Sequence, residues 1–571
     1  MHTLTQTAAA MALAGMSSLG LAQGHLGLAQ GPRGLAEGLP WNTTANNADP
    51  APGGAPGATF RSYNQPAIND AGLIVFRARS GTGTGAQTDG VYARDLSAPG
   101  PLLKLLARDD AVPDPNNILY NNLPAAYLEF PSTPRIDAGS SLIATRGQHQ
   151  PVWSFLLGGL ETRVGTSGIY AFPGGTAVTG ASLLGDVVEP DQVTLTFPWF
   201  SVPGALVGTR FDQFPGSPAV VNNRYIVYKG NYTDLLDGLG RTGIYFRDVV
   251  ATMPIPYTGL IASSNMLIPN QPMGSTVKFG STAPPSAANG WVYFTGLDVE
   301  EAPTLGGIYR APIASMPTLQ TMVGIGDQVP GEAPGAVFSS FGEALSVSSD
   351  GDQFSFWASW GTETFPKLLL CPTDGNPDII AYCNQQHPTG LLVNIPVNQG
   401  IFVHVASSGQ TRQIARTLRE GINDFLFWNF SGRPPGVGGG TEPGTELARW
   451  RSSAFSTLAA RPMSPIQVVF KAERNATQGL YLREGFGTQM PLRTVAEVGT
   501  TVGTDVDPLA PAGSLVSAVG VERDAFRNGR LAITASMLYV DPVDPDITVG
   551  WAGIYTAQVA IDSVFRDGFG D

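Results

Sequence analysis

One short phrase, a glycine followed by an aliphatic and then an aromatic residue, recurs seven times along the chain. The copies are Gly90-Val91-Tyr92, Gly168-Ile169-Tyr170, Gly243-Ile244-Tyr245, Gly307-Ile308-Tyr309, Gly400-Ile401-Phe402, Gly479-Leu480-Tyr481 and Gly553-Ile554-Tyr555. Successive glycines lie between 64 and 93 residues apart. A period of this length makes the chain a series of like units, each burying apolar surface against its neighbours. The flanking residues repeat too. Ahead of most copies stands a turn and then a β-rich run: Asn69-Asp70-Ala71-Gly72 before LIVF (73–76), Asn222-Asn223 before YIVY (225–228), Asn289-Gly290 before WVYF (291–294), Asp350-Gly351 before QFSF (353–356) and Asn528-Gly529 before RLAI (530–533). Asn-Gly and Asp-Gly supply the positive φ angles of tight hairpins. The sixth unit has Ser464-Pro465 at this place.

Behind the copies comes an aliphatic strand, as in LLKLLARDDAVP (102–113), and ahead of the turn another short segment, as in FRSYNQPAI (60–68). Each unit therefore holds four short strands, and none has the 3.6-residue period of a helix. Seven such units imply an all-β chain, a seven-bladed β-propeller of four-stranded blades. A row of small β-sandwich modules is the alternative. The seventh unit lacks a fourth strand of its own. Gly34-Leu35-Ala36-Glu37-Gly38-Leu39-Pro40 fits the missing pattern, so residues about 33–41 are expected to close the ring as the outermost strand beside 554–559.

The remaining boundaries follow from composition. The stretch Ala8 to Ala22 is rich in Ala, Leu and Met and ends in small residues, so residues 1–22 are expected to be a signal peptide cleaved near Ala22. Residues 23–32 then form an unstructured linker, 33–561 the propeller and 562–571 a C-terminal tail. Secretion, to the cell surface or the medium, is the expected destination. Cys371 and Cys383, the two cysteines, close a short loop and are expected to form a disulfide, as an exported chain permits. They lie in an insertion over 368–397 that makes the fifth unit the longest. Only 14% of the residues are charged and the net charge is −13, without a basic patch, so a nucleic-acid backbone is excluded as partner.

The Asn-x-x-Gly-x-x-x-Phe spacing of Asn69, Gly72 and Phe76 resembles that of the choice-of-anchor tandem repeat NxxGxxxF-containing proteins. The Pro/Gly-rich phrase from Asp49 to Phe60 resembles them as well. Later units depart from the pattern, with Asp137 in place of the Asn and Tyr228 in place of the Phe. The resemblance implies an exported bacterial surface or extracellular protein and no known activity.

Catalytic signatures are absent from the sequence: no G-x-S-x-G elbow, HExxH, P-loop or dinucleotide fingerprint occurs. His404 alternates with Phe402 and reads as a strand surface residue. The repeated tyrosines read as packing between blades, and the pairs Arg94-Asp95, Arg247-Asp248 and Arg483-Glu484 as solvated strand ends. Two acidic loops, Asp541-Pro542-Val543-Asp544-Pro545-Asp546 and the stretch holding Asp109, Asp110, Asp114 and Asn116, offer oxygen ligands that would suit Ca²⁺, although proline-stiffened solvent loops are the commoner explanation of such stretches. No other cofactor is implied. The resulting expectation is a non-enzymatic binding or adhesion scaffold whose partner is a glycan or a cell-surface protein. The alternative is an extracellular carbohydrate-active enzyme using the central channel, with Glu343 and Glu522 in the first strands of units five and seven as its carboxylates.

Overall fold

The computed structural model describes residues 38–560 apart from 84–86, 99, 118–123, 151–152, 158–159, 165–166, 189–193, 270, 374–375, 433, 435–446, 461–464 and 486–490. The expected signal peptide, linker and tail, and residues 33–37 of the expected closing strand, lie outside the described residues. Seven antiparallel sheets of four strands surround the axis; in six of them the strands run outward in sequential order, and in the seventh the outermost strand comes from the N-terminal segment. Blade one is typical. Its first strand is broken into Thr59–Tyr63 and Ala67–Ile68, and Leu73–Gly81, Thr88–Asp95 and Leu103–Ala107 follow outward. The innermost segments Ala67–Ile68, Arg135–Ile136, Ala219–Val221, Ser286–Ala288, Ser346–Val347, Ser456–Ala459 and Phe526–Arg527 touch in that order, and the last touches the first. The chain is a closed seven-bladed β-propeller. Among the described residues no helix is long and apolar enough to cross a membrane.

The repeated phrase has a steric cause. In each blade the third-strand aromatic is fully buried, as at Tyr92, Tyr170, Tyr245, Tyr309, Phe402, Tyr481 and Tyr555. In the blades of Gly90, Gly168, Gly243, Gly400, Gly479 and Gly553 its ring folds back over that glycine, two residues earlier. A Cβ on Gly90 would stand 2.6 Å from the Tyr92 hydroxyl, and one on Gly553 would stand 2.5 Å from that of Tyr555. The ring covers the bare backbone, and the glycine makes room for the ring. Across the ladder the same ring meets the second strand's aromatic: Phe76 faces Tyr92 with centroids 6.0 Å apart, Phe294 faces Tyr309 at 5.7 Å and Phe356 faces Phe402 at 5.5 Å. A first-strand aromatic then meets it edge-on, as Phe60 does Tyr92 at 4.9 Å and Phe211 does Tyr245 at 4.9 Å. Such pairs add about 1 kcal/mol each beyond the area they bury.

The turn residues tie blades together. Asn69 Oδ1 accepts the Leu73 N–H at 2.8 Å, while its Nδ2 donates to Ser140 O of blade two at 2.8 Å. Gly72 completes the turn with φ +96°, a conformation side chains resist. The expected solvated pairs turn out differently. Arg247 and Asp248 are buried, and Arg247 donates to Thr179 O and Gly180 O of the preceding blade at 3.0 and 2.7 Å. Arg483 and Glu484 are buried as well, with Arg483 ion-paired to Glu420. Strand ends here face the next blade rather than water, so their charges are used as ties. Only Arg94-Asp95 reaches solvent, and even Arg94 donates to Thr44 O of the closing strand at 2.5 Å.

The ring is closed by the N-terminal segment, as expected, but by a later stretch of it. Trp41–Asn46 pairs antiparallel with the third strand of blade seven, Trp41 opposite Ala557 and Asn46 opposite Gly553. The expected 33–41 was placed too early because its Gly-Leu pattern imitates the other fourth strands, whereas Trp-Asn-Thr-Thr-Ala-Asn is mostly polar. One buried carboxylate locks this join. Asp507 Oδ2 accepts from Asn46 Nδ2 at 2.9 Å, Trp551 Nε1 at 2.8 Å and Tyr555 Oη at 3.0 Å. Replacing Asp507 by Ala strands three donors in the core and is expected to cost about 3 kcal/mol. Denaturant unfolding measures it, and an unchanged midpoint would contradict the lock.

Candidate binding clefts and the closed axis

The axis is where a propeller could hold a reacting group, and here it is occupied by the protein itself. The first strand of blade seven breaks at Glu522-Arg523-Asp524-Ala525, and this bend reaches five other blades. Asp524 O accepts from Ile68 N of blade one at 2.9 Å. The Asp524 carboxylate is ion-paired with Arg135 of blade two and with Arg527 at 2.8 Å. Arg523 O accepts from Ser346 Oγ of blade five at 2.6 Å and Thr457 Oγ1 of blade six at 3.1 Å, and Arg523 Nη1 points to Pro284 O of blade four at 3.5 Å. Burial alone would raise the Asp524 pKa. Arg135, Arg527 and Arg523 outweigh it and hold the carboxyl below its usual value. Over the hub, Ser349 Oγ of blade five donates to Asp70 Oδ1 of blade one at 2.8 Å.

The two expected carboxylates have different settings. Glu522 is buried in the hub and salt-bridged to Arg523 at 2.9 Å. Glu343 is exposed, in the bend between Phe338–Phe341 and Ser346–Val347. The structure gives Glu522 a tie to its neighbouring arginine rather than an open place beside a substrate.

The other sequence candidates resolve in turn. Asp541, Asp544 and Asp546 lie in the exposed turn between the second and third strands of blade seven. Asp541 Oδ1 accepts the N–H of Val543 at 2.8 Å and of Asp544 at 3.1 Å, and Asp544 Oδ1 accepts that of Asp546 at 3.2 Å. These carboxylates cap their own turn. Among the described residues no group of three or more His, Cys, Asp or Glu is placed to hold a metal ion. Asn116, from the other acidic loop, points into the core of blade two. There it donates to the Tyr170 hydroxyl at 2.8 Å, takes the Ser182 hydroxyl and meets His149 Nε2 at 3.3 Å. Cys371 and Cys383 form the expected disulfide, Cα atoms 5.7 Å apart. It joins the start of the blade-five insertion to the helix Pro377–Gln386, which rests through Tyr382, Phe430 and Trp450 on a two-stranded hairpin of blade six, Phe427–Ser431 with Arg449–Ser453.

His404 was expected on a strand surface and is instead 2% exposed, packed over Phe354 and bonded to Thr411 Oγ1 at 2.9 Å. Both faces of a central blade strand are covered by neighbouring blades, so alternation along it does not lead to water.

Among the described residues, open clefts on the outer surface include two between or beside blades. One, of about 360 Å³, lies between blades three and four, lined by Asp212, Lys229, Asn231, Arg241, Ser281 and Glu300 among others. Burial raises the Asp212 carboxyl above its usual value despite a hydrogen bond from Thr233. The other, of about 330 Å³, lies on the rim of blade five between its outermost strand, Gln410–Arg416, the entering loop at Pro330-Gly331 and the connection to blade six. It gathers Arg412, Arg416 and Arg419. Sequence reasoning missed both, since each assembles residues from separate blades. Three arginines within eight residues were the one visible sign of the second.

No family model and no curated protein matches the chain. Several solved structures are similar to it in part. The Hadza microbial sialidase Hz136 is 10% identical with a TM-score of 0.31, over 75% of this chain and 66% of its own. The AtxE2 isopeptidase, solved with astexin3-dC4 bound, is 8% identical with a TM-score of 0.24, over 86% of this chain. The chain spans only 60% of that enzyme's length. The subtype N11 neuraminidase-like protein of A/flat-faced bat/Peru/033/2010 (H18N11) is 9% identical with a TM-score of 0.23, over 92% of this chain and 94% of its own. Likenesses of this size carry no activity over to this chain.

The buried histidines give a pH prediction. Burial pushes His149 down to about 3. Burial, aided by Arg310 and opposed by Asp352, pushes His404 down to about 4. The unfolded chain takes up these protons near pH 6.5, the folded chain only well below it. Their contribution to stability is therefore whole above pH about 6.5 and lost as pH falls toward 4 and then 3. The melting temperature is expected to drop between pH 7 and 4, and the double variant His149→Gln/His404→Gln to show a shallower drop. Equal slopes for both proteins would contradict this.

Proposed function

We propose that the protein is an exported, non-enzymatic scaffold that presents loops and rim clefts for binding at the cell surface or outside the cell. The observation that carries this reading is the closed hub. The Glu522–Ala525 bend, with Arg135, fills the place where a ring could surround a substrate, and Glu522 is committed to a salt bridge. Binding then falls to the periphery, where long connections rest on rigid blades. Export is supported by the disulfide together with the lack of free cysteines, which suits an oxidising compartment. The resemblance to the NxxGxxxF repeat proteins points the same way for export, and a glycan or a cell-surface protein is the partner that a scaffold outside the cell would meet.

Screening the purified protein on a glycan array and against envelope extracts tests the reading, with parallel turnover assays on polysaccharide, ester and peptide substrates. Saturable binding without turnover is expected. A silent array with measurable turnover would replace the scaffold by an enzyme. As a companion test, Asp524→Ala should cost about 3–5 kcal/mol by leaving buried guanidinium groups uncompensated. Stability equal to the parent would mean the hub does not hold the ring.

A further inference from the structure

The rim cleft on blade five combines three features that the fold itself does not require. The first is charge. Arg412, Arg416 and Arg419 converge on one pocket of about 330 Å³ in a protein of net charge −13. Of the nearby carboxylates, one neutralises Arg416 within the cleft and the other is tied to the next blade. Glu332 is ion-paired to Arg416 and also accepts from Gln413 Nε2 at 3.1 Å, and Glu420 is ion-paired to Arg483 of blade six. Among the described residues Arg419 has no carboxylate partner. It is exposed at the mouth.

The second is rigidity. Arg416, the innermost of the three, is fixed on both sides: it donates to Asn398 Oδ1 at 3.0 Å and lies over the Trp360 ring at 5.1 Å. The third is strain. Leu418 and Glu420, flanking Arg419, hold φ of +65° and +52°, and Gly421 follows at +79°. A left-handed leucine is costly, of order 1–3 kcal/mol, and such strain gathers where a site needs a side chain aimed. Here the turn is held by Leu418 N to Ile422 O at 3.0 Å, Ile422 N to Arg419 O at 2.9 Å and Arg474 Nε to Glu420 O at 2.8 Å. It holds Arg419 on the wall of the cleft that Arg412 also lines.

We propose that this cleft binds the anionic group of an acidic sugar unit, a carboxylate or a sulfate ester, between Arg412 and Arg419. Guanidinium forks match both anions bidentately. The volume is at the small end of ligand pockets and suits one charged unit of a longer chain. The inference rests on the scaffold reading and names its ligand class.

Titration calorimetry with trigalacturonate, its methyl ester and a chondroitin 4-sulfate disaccharide tests it. Trigalacturonate or the sulfated disaccharide is expected to bind, whichever source the anion has, and the uncharged methyl ester at least about tenfold more weakly. The exposed-residue variant Arg412→Gln/Arg419→Gln should lose at least about tenfold in affinity for the acidic probe at an unchanged melting temperature. Lys229→Gln/Arg241→Gln, in the other cleft, should bind as the parent does. Absence of binding by both acidic probes, equal binding of acid and ester, or full binding by the Arg412/Arg419 variant overturns the proposal. Should the array find a ligand that this variant still holds, the anion site alone falls and the scaffold reading stands.

Discussion

Everything in this molecule depends on the pairing of Trp41–Asn46 with the third strand of blade seven. Without it, seven sheets in a row would leave an unpaired strand edge at one end and bare blade faces at both, a standing route to aggregation. With it, the first and last parts of the described chain share one sheet. Asp507 brings the preceding loop into the same join, so a contact between residues 461 positions apart becomes a local hydrogen bond in the folded ring. The hub repeats the device at the axis, where Arg135 meets Asp524 across 389 positions.

The blade is legible in the sequence because its determinants are local. Gly90 and Tyr92 are two residues apart, and Asn69 and Gly72 share one turn, so steric and turn chemistry write a short phrase that recurs. The disulfide was legible for the same reason. The closing strand was legible in kind but not in register, since six mostly polar residues carry little strand signal and a better-looking Gly-Leu phrase precedes them. Burial of charge was not legible at all. Arg247 and Arg483 look like strand ends meeting water, and His404 like an outward position, until the neighbouring blades are set against them. The clefts were invisible for a related reason: Arg419 and Pro330 become neighbours only once blades four to six are assembled.

Function follows from where this architecture spends its polar groups. Charged side chains that sequence alone would assign to solvent or to catalysis are used as ties, at the hub and at blade boundaries. Among the described residues, open clefts lie at the rim. There, connections vary in length from blade to blade while the blades hold them still, and the strained turn over 418–421 shows one such connection held in a costly shape. The closed hub and the clefts at the rim are what the proposed scaffold role rests on.

Amide hydrogen exchange read by mass spectrometry on the intact protein tests the closed ring most directly. If the join is integral, peptides covering 41–46 and 553–557 exchange as slowly as the second strands of the inner blades and are released together with them as denaturant is added. If the ring is open in solution, the 41–46 peptide exchanges at the rate of a fraying end while blades one to six stay protected. That outcome would contradict closure.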